Sequence, residues 1–105
     1  IFADAVRAMT QTMTSACDVE GIAMEEIDLM VPHQANQRII DAIARRSGRP
    51  AHSVIRNLGN TSSSSIPLAL LDALPTRTPG DRLGLVAFGG GITYAAAIAT
   101  VGQPR

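Results

Sequence analysis

Apolar positions recur at helical spacing through the first twenty residues. Phe2, Val6, Met9, Met13 and Cys17 follow one another at intervals of four, three, four and four. At 3.6 residues per turn all five share one stripe, so the spacing predicts an amphipathic helix that ends near Gly21. Ile27 to Val31 is a short apolar run and reads as a strand, stopped by Pro32. Ala35, Ile39, Ile43 and Ala44 mark a second helix, closed by Gly48 and Pro50. Ser53 to Arg56 reads as a short strand and Gly59 to Ser65 as a loop. Pro67 fits the first turn of a third helix running to about Leu74. A turn over Thr76 to Asp81 leads to a buried strand, Leu83 to Phe88. Gly89, Gly90 and Gly91 make a tight connection to a final strand, Ile92 to Val101.

Helices alternate with strands until two strands close the chain. That order predicts a single α/β domain over residues 1–105, with an antiparallel pair at its end and no internal repeat. Hydrophobic residues make up 46% and aromatics 3%, so the core must be built from Ala, Val, Ile, Leu and Met. So few aromatics give no stacking platform for nucleic-acid bases. Nine basic and nine acidic residues cancel, so no field steers the chain to DNA or to an anionic membrane. The single cysteine, Cys17, cannot form an internal disulfide and has no companions at zinc spacing, which points to a reducing, cytoplasmic setting and no metal. The chain opens without a methionine, a basic leader or a long apolar run. We therefore expect no signal peptide or membrane span, and a start within a longer gene product.

Few residues can carry chemistry. His33 lies between the first strand and the second helix, and the carboxyl end of a strand is where open α/β sheets place ligands. A histidine there can exchange a proton, hydrogen-bond an oxyanion, or simply cap the helix; position alone leaves these open. Asn60, in Gly59-Asn60-Thr61-Ser62, can donate to a carbonyl oxygen or make an ordinary turn. The three glycines allow close backbone approach to a ligand, or a hairpin turn. They do not form the GxGxxG pattern that opens a helix, so dinucleotide binding is excluded. Arg38, Arg45, Arg46 and Arg49 give the second helix a basic outer face, either solvated or a patch for an acidic partner. Cys17 falls on the apolar stripe of the first helix and reads as core. No serine sits in a GxSxG elbow. The chain thus offers a base or oxyanion donor and no convincing nucleophile.

Three segments, in order, resemble one family. Val31-Pro32-His33-Gln34-Ala35-Asn36, followed by Arg38-Ile39-Ile40, is similar to the histidine motif of the β-ketoacyl-acyl-carrier-protein synthase III family. Gly59-Asn60-Thr61-Ser62, followed by Ser65-Ile66-Pro67-Leu68-Ala69-Leu70, resembles its asparagine motif. Gly80-Asp81, Ala87-Phe88-Gly89-Gly90-Gly91 and the last strand resemble its C-terminus. Each piece is weak alone and the ordered set is specific.

The resemblance implies a thiolase-like αβαβα sandwich of two similar halves, of which this chain is most of the second, without its first strands. It implies a Cys-His-Asn triad whose cysteine lies in the absent N-terminal half and is not matched by Cys17. His33 and Asn60 are then the catalytic histidine and asparagine, and Gly90 supplies an oxyanion-hole N–H. Phe88 and Gly89 line the substrate pocket, Ala35 and Asn36 line the pantetheine tunnel, and Arg38 contacts the carrier protein. The implied reaction is a decarboxylative condensation of an acyl-coenzyme A primer with malonyl-acyl-carrier protein. The implied partners are acyl-carrier protein, acyl-coenzyme A, the N-terminal half and a second copy of the enzyme as a homodimer. No cofactor is implied beyond the thioester substrates.

Two features depart from the family. The stretch Val54 to Gly59 before the asparagine is shorter than usual, and the run Ser62-Ser63-Ser64-Ser65 is more uniform. A shortened loop also suits a non-condensing acyltransferase of the same fold. A third reading is a non-catalytic half that binds carrier protein. A half of such a sandwich is expected to expose apolar surface.

Overall fold

A computed structural model of the chain describes residues 2–34, 36–54, 65–89 and 93–102. Helix α1 (Phe2–Glu20) lays its methionine stripe inward, and Val6, Met9, Met13 and Cys17 are all buried. It ends at Gly21, whose φ of 72° is the left-handed conformation that glycine adopts without cost. There the Gly21 N–H donates to Asp18 and the Ile22 N–H to Cys17, which satisfies two of the last helical carbonyls. A 3-10 turn (Met24–Glu26) leads into strand β1 (Leu29–Pro32), every residue of which is buried. Helix α2 (Gln37–Ser47), helix α3 (Ser65–Ala73), a second 3-10 turn (Leu74–Thr76), strand β2 (Arg82–Gly89) and strand β3 (Thr93–Thr100) complete the described elements.

The strands form one mixed sheet in the order β1-β2-β3. β1 runs parallel to β2, with Pro32 opposite Val86, and β2 runs antiparallel to β3, with Phe88 opposite Tyr94. Because side chains alternate along a strand, the sheet feeds two cores. On one face Met30 and Val86 pack with Met9, Met13, Ile39 and Ile43 of α1 and α2. On the other, Leu29, Val31 and Leu83 pack with Val54 and with Ala69 and Ala73 of α3. Helices thus cover both faces, the α/β arrangement expected from the alternation.

Gly84 makes the first of these cores possible. A Cβ on Gly84 would lie 2.9 Å from the Met30 sulfur and 3.0 Å from the Met13 methyl, so both thioethers close over bare backbone. Flexible methionine side chains fill such an irregular space well.

The structure corrects three local expectations. The strand expected over Ile27 to Val31 runs from Leu29 and ends on Pro32 itself; β1 is an edge strand, and the rung to Val86 is made by the His33 N–H, so the missing N–H of Pro32 removes no bond to β2. No strand forms at Ser53 and Val54; a single parallel bridge joins Ala51 to Met30 instead, and Ile55 and Arg56 lie outside the described residues. Arg49 does not join the basic outer face, because its Nε donates to the Ile27 carbonyl at 2.6 Å.

The α3 side of the sheet is open at its β3 edge. Ile66, Leu85, Ala87, Ala95 and Ala97 line an apolar groove of about 240 Å³, and Leu71 stands 67% exposed. Among the described residues no helix is long and apolar enough to cross a membrane.

Candidate functional site

The site grows from the parallel pairing of β1 and β2, which brings two carboxyl ends to one edge of the sheet. Pro32 ends β1 opposite Val86, and the His33 N–H donates to the Val86 carbonyl at 2.8 Å. That bond carries the ladder one residue past the strand and fixes the backbone of His33. Two and three residues beyond Val86, Phe88 and Gly89 finish β2 at the same edge. The parallel register therefore brings the backbone of His33, far away along the chain, to the end of the sheet where both predicted pocket residues lie.

His33 is half-buried. Burial alone holds its pKa below the ordinary histidine value of 6.5, because the imidazolium loses more hydration than the neutral ring. A neutral imidazole carries one N–H donor and one acceptor nitrogen. Such a group can accept a proton, or donate a hydrogen bond to an oxygen that gains negative charge.

The capping alternative for His33 falls to a neighbour. Asn36, with extended backbone, accepts the Ile39 N–H on its Oδ1 at 2.9 Å and is the N-cap of α2. His33 thus stands between the strand and the cap, outside the helix. Asn36 is itself exposed, and its carbonyl oxygen is committed to the helix.

Gln34 belongs to the histidine motif, yet the residue pattern assigns it no task. Its side chain is fully buried and ties two segments together. Nε2 donates to the Pro32 carbonyl at 2.8 Å and to the His52 carbonyl at 3.2 Å, while Oε1 accepts the Val54 N–H at 2.9 Å. The segment that receives these bonds is held elsewhere too. Met30 N–H donates to the Pro50 carbonyl, and His52 N–H to the Met30 carbonyl. Ser53 Oγ donates to Gln37 Oε1 at 2.7 Å, and His52 Nε2 meets Asp72 of α3 at 2.7 Å. Glutamine is usually exposed, so nothing in the letters marked this one as interior.

On the other side of α2, the exposed Arg45 and Arg46 border an open cleft of about 340 Å³ shared with Arg7 of α1. Arg38 is exposed on the first turn of α2. Sequence periodicity grouped the arginines of one helix and had no means to add Arg7 from another. Asn60, Ala35 and Gly90 lie outside the described residues. Among the described residues there is no cluster of three or more His, Cys, Asp or Glu able to hold a metal.

Comparison with known proteins gives one answer. Residues 17–101 match the family described as 3-oxoacyl-[acyl-carrier-protein (ACP)] synthase III C terminal. β-Ketoacyl-[acyl-carrier-protein] synthase III of Oleidesulfovibrio alaskensis is 45% identical over 93% of the chain, and that of a Roseiflexus species is 47% identical over 93%. The chain spans 31% of the length of each of these relatives. Among solved structures, β-ketoacyl-[acyl carrier protein] synthase III of Thermus thermophilus superposes with a TM-score of 0.90 at 44% identity, covering 99% of this chain and 34% of that one. The priming β-ketosynthase of the R1128 polyketide pathway superposes with a TM-score of 0.89 at 32% identity, covering 99% of this chain and 33% of that one.

Proposed function

Because this chain belongs to the 3-oxoacyl-[acyl-carrier-protein] synthase III C-terminal family, we propose that it is the C-terminal portion of a condensing acyltransferase that initiates fatty-acid or polyketide synthesis. The observation that carries the reading is His33, half-buried beside the end of β2 at the carboxyl edge of the sheet. The relatives are about three times as long as the chain, and the nucleophilic cysteine is assigned to the part they have in addition.

In the proposed reaction that cysteine takes an acyl group from a coenzyme A thioester and releases free coenzyme A. Malonyl-acyl-carrier protein then enters and loses carbon dioxide. The electron pair of the broken C–C bond passes into the thioester carbonyl as an enolate, and the enolate carbon attacks the acyl-enzyme. The carbonyl of the acyl-enzyme then re-forms and expels the cysteine thiolate. The physical problem is negative charge on the thioester oxygen in a site without water. His33 and Asn60 each donate a hydrogen bond to that oxygen, and loss of one such donor costs about 3 kcal/mol in the barrier. A pKa held down by burial keeps His33 a neutral donor at pH 7.

The Gly90 N–H serves the separate tetrahedral oxyanion of the acyl-enzyme. Phe88 and Gly89 shape the dry pocket, and Ala35 and Asn36 line the pantetheine path. Arg38 meets the acidic carrier protein, supported by its exposure on the same helix as Arg45 and Arg46. The N-terminal half and a second copy of the protein are the proposed covers of the apolar groove along β3. No cofactor takes part beyond the phosphopantetheine and coenzyme A of the substrates, and the proposed compartment is the cytoplasm.

The test is mass spectrometry of the full-length protein incubated with an acyl-coenzyme A and then with malonyl-acyl-carrier protein. The expected result is an acyl adduct on a cysteine other than Cys17, discharged with release of carbon dioxide. His33→Ala and Asn60→Ala should each lower ketoester formation by about 10²- to 10³-fold. An adduct on Cys17, or discharge that ignores malonyl-acyl-carrier protein, would overturn the assignment.

A further inference from the structure

We propose that Gln34 is a positioning residue that sets the approach of the asparagine-bearing segment to His33; this rests on the reading of His33 and Asn60 as the two enolate donors. A glutamine amide has two N–H groups and one carbonyl oxygen to place. Here both kinds of group are engaged with backbone: nitrogen on Pro32 and His52, oxygen on Val54. One end of this bridge is the residue immediately before His33. The other brackets Ser53 and closes on Val54, the last described residue before the chain continues to Asn60 six positions later.

Why a side chain is used follows from the ladder. Among the described residues the parallel contact on this side of β1 is the bridge at Ala51, with Pro50 and His52 bonded to Met30. Past His52 no further bridge to this side of β1 forms among the described residues, and the Gln34 amide stands in for the missing rungs. It is fully buried, so water does not compete for those bonds. No other residue type does the same work in that space. Glutamate would turn an anionic oxygen on two carbonyls. Methionine would leave two carbonyls and one N–H buried with the Gln34 partner gone, a large penalty in a dry site. Asparagine is one methylene too short to span both segments.

The segment should survive such changes. Val54 is buried against Leu29, Val31 and Ala69, and its neighbours keep their bonds to Met30, Gln37 and Asp72. What the changes remove is the precise register between the end of β1 and the departure toward Asn60. A misplacement of about 1 Å in a reacting group can cost on the order of 10²-fold in rate.

The experiment is a double-mutant cycle in the full-length enzyme. Gln34→Met and Gln34→Glu are each made alone and with Asn60→Ala, and melting is followed to select folded variants. Acyl transfer from acyl-coenzyme A and decarboxylation of malonyl-acyl-carrier protein are measured separately. The expected result is a decarboxylation loss of about 10- to 100-fold for either Gln34 variant, with acyl transfer changed less than about threefold. In the Asn60→Ala background the same Gln34 change should cost less than about threefold more, because the group it positions is gone. Equal losses in both backgrounds, or equal losses in both half-reactions, would show a general structural role and overturn the proposal. If Asn60→Ala alone leaves decarboxylation intact, the reading of Asn60 fails and the proposal falls with it.

Discussion

The Oδ1 of Asn36 accepts the N–H of Ile39 at 2.9 Å, and this single bond decides where α2 begins. It satisfies one of the free donors of the first helical turn and leaves the preceding residues to the strand end. His33 is therefore held on non-helical backbone, bonded through its N–H to Val86 of the neighbouring strand. Asn36→Ala should destabilise the protein by about 1 kcal/mol, and Asn36→Asp should restore most of that loss, since aspartate caps equally well. Urea denaturation of the three proteins checks the order.

The depressed pKa of His33 carries a pH signature. Its folded value lies below the ordinary 6.5, and the cause is burial. Between the two values the unfolded chain binds more protons than the folded one. The contribution of His33 to stability is therefore complete above about pH 6.5 and is lost as pH falls toward the folded value. His33→Gln should flatten that part of the stability curve, and the difference between the two proteins in pH-dependent denaturation isolates it. A wild-type curve that gains stability on acidification, relative to His33→Gln, would contradict the sign.

Cys17 is buried in the α1 stripe, and its thiol is pushed above its ordinary value, first by loss of hydration and then by the nearby charges of Asp18, Glu26 and Glu25. The reactive form of a cysteine is the thiolate, and here it is disfavoured on both counts. Iodoacetamide should leave Cys17 unmodified in the folded protein and alkylate it on unfolding, as read by peptide mass spectrometry. Cys17→Ala should leave turnover within about twofold, as expected of a packing residue near Glu25 and Glu26, which precede β1, while His33 follows its other end.

Arg38 is exposed, so its proposed contact with carrier protein is a steering interaction. Arg38→Glu should raise the KM for malonyl-acyl-carrier protein by about tenfold at low salt, with a smaller effect as salt rises. The KM for acyl-coenzyme A in the transfer step should hold. Steady-state kinetics with the two substrates over a range of ionic strength distinguishes this from a general loss of folding.

Much of the fold was legible because it is local. The methionine stripe of α1, the apolar run of β1, and Gly48 at the end of α2 each obey a rule that operates within a few residues. The misplaced strand at Ser53 shows where such rules stop. Val54 is buried and apolar, as a strand residue would be, but its N–H is taken by the Gln34 side chain instead of a neighbouring strand. Whether an extended segment pairs depends on what lies beside it, and that neighbour is 20 positions away in the chain. For the same reason the basic face lost Arg49 to the Ile27 carbonyl and gained Arg7 from another helix.

The sequence by itself determined the α/β alternation, the apolar stripes, the family, and His33 as the residue between a strand and a helix. Periodicity and ordered motifs are properties of neighbouring letters, so they survive without coordinates. Only the tertiary structure decided that β1 and β2 pair in parallel with Pro32 opposite Val86, and so bring their carboxyl ends to one edge. Only it showed two methionines closing over Gly84, and a buried glutamine bridging Pro32 to Val54. Those are contacts between distant segments, set by which surfaces meet once the sheet is assembled, and no local preference encodes them.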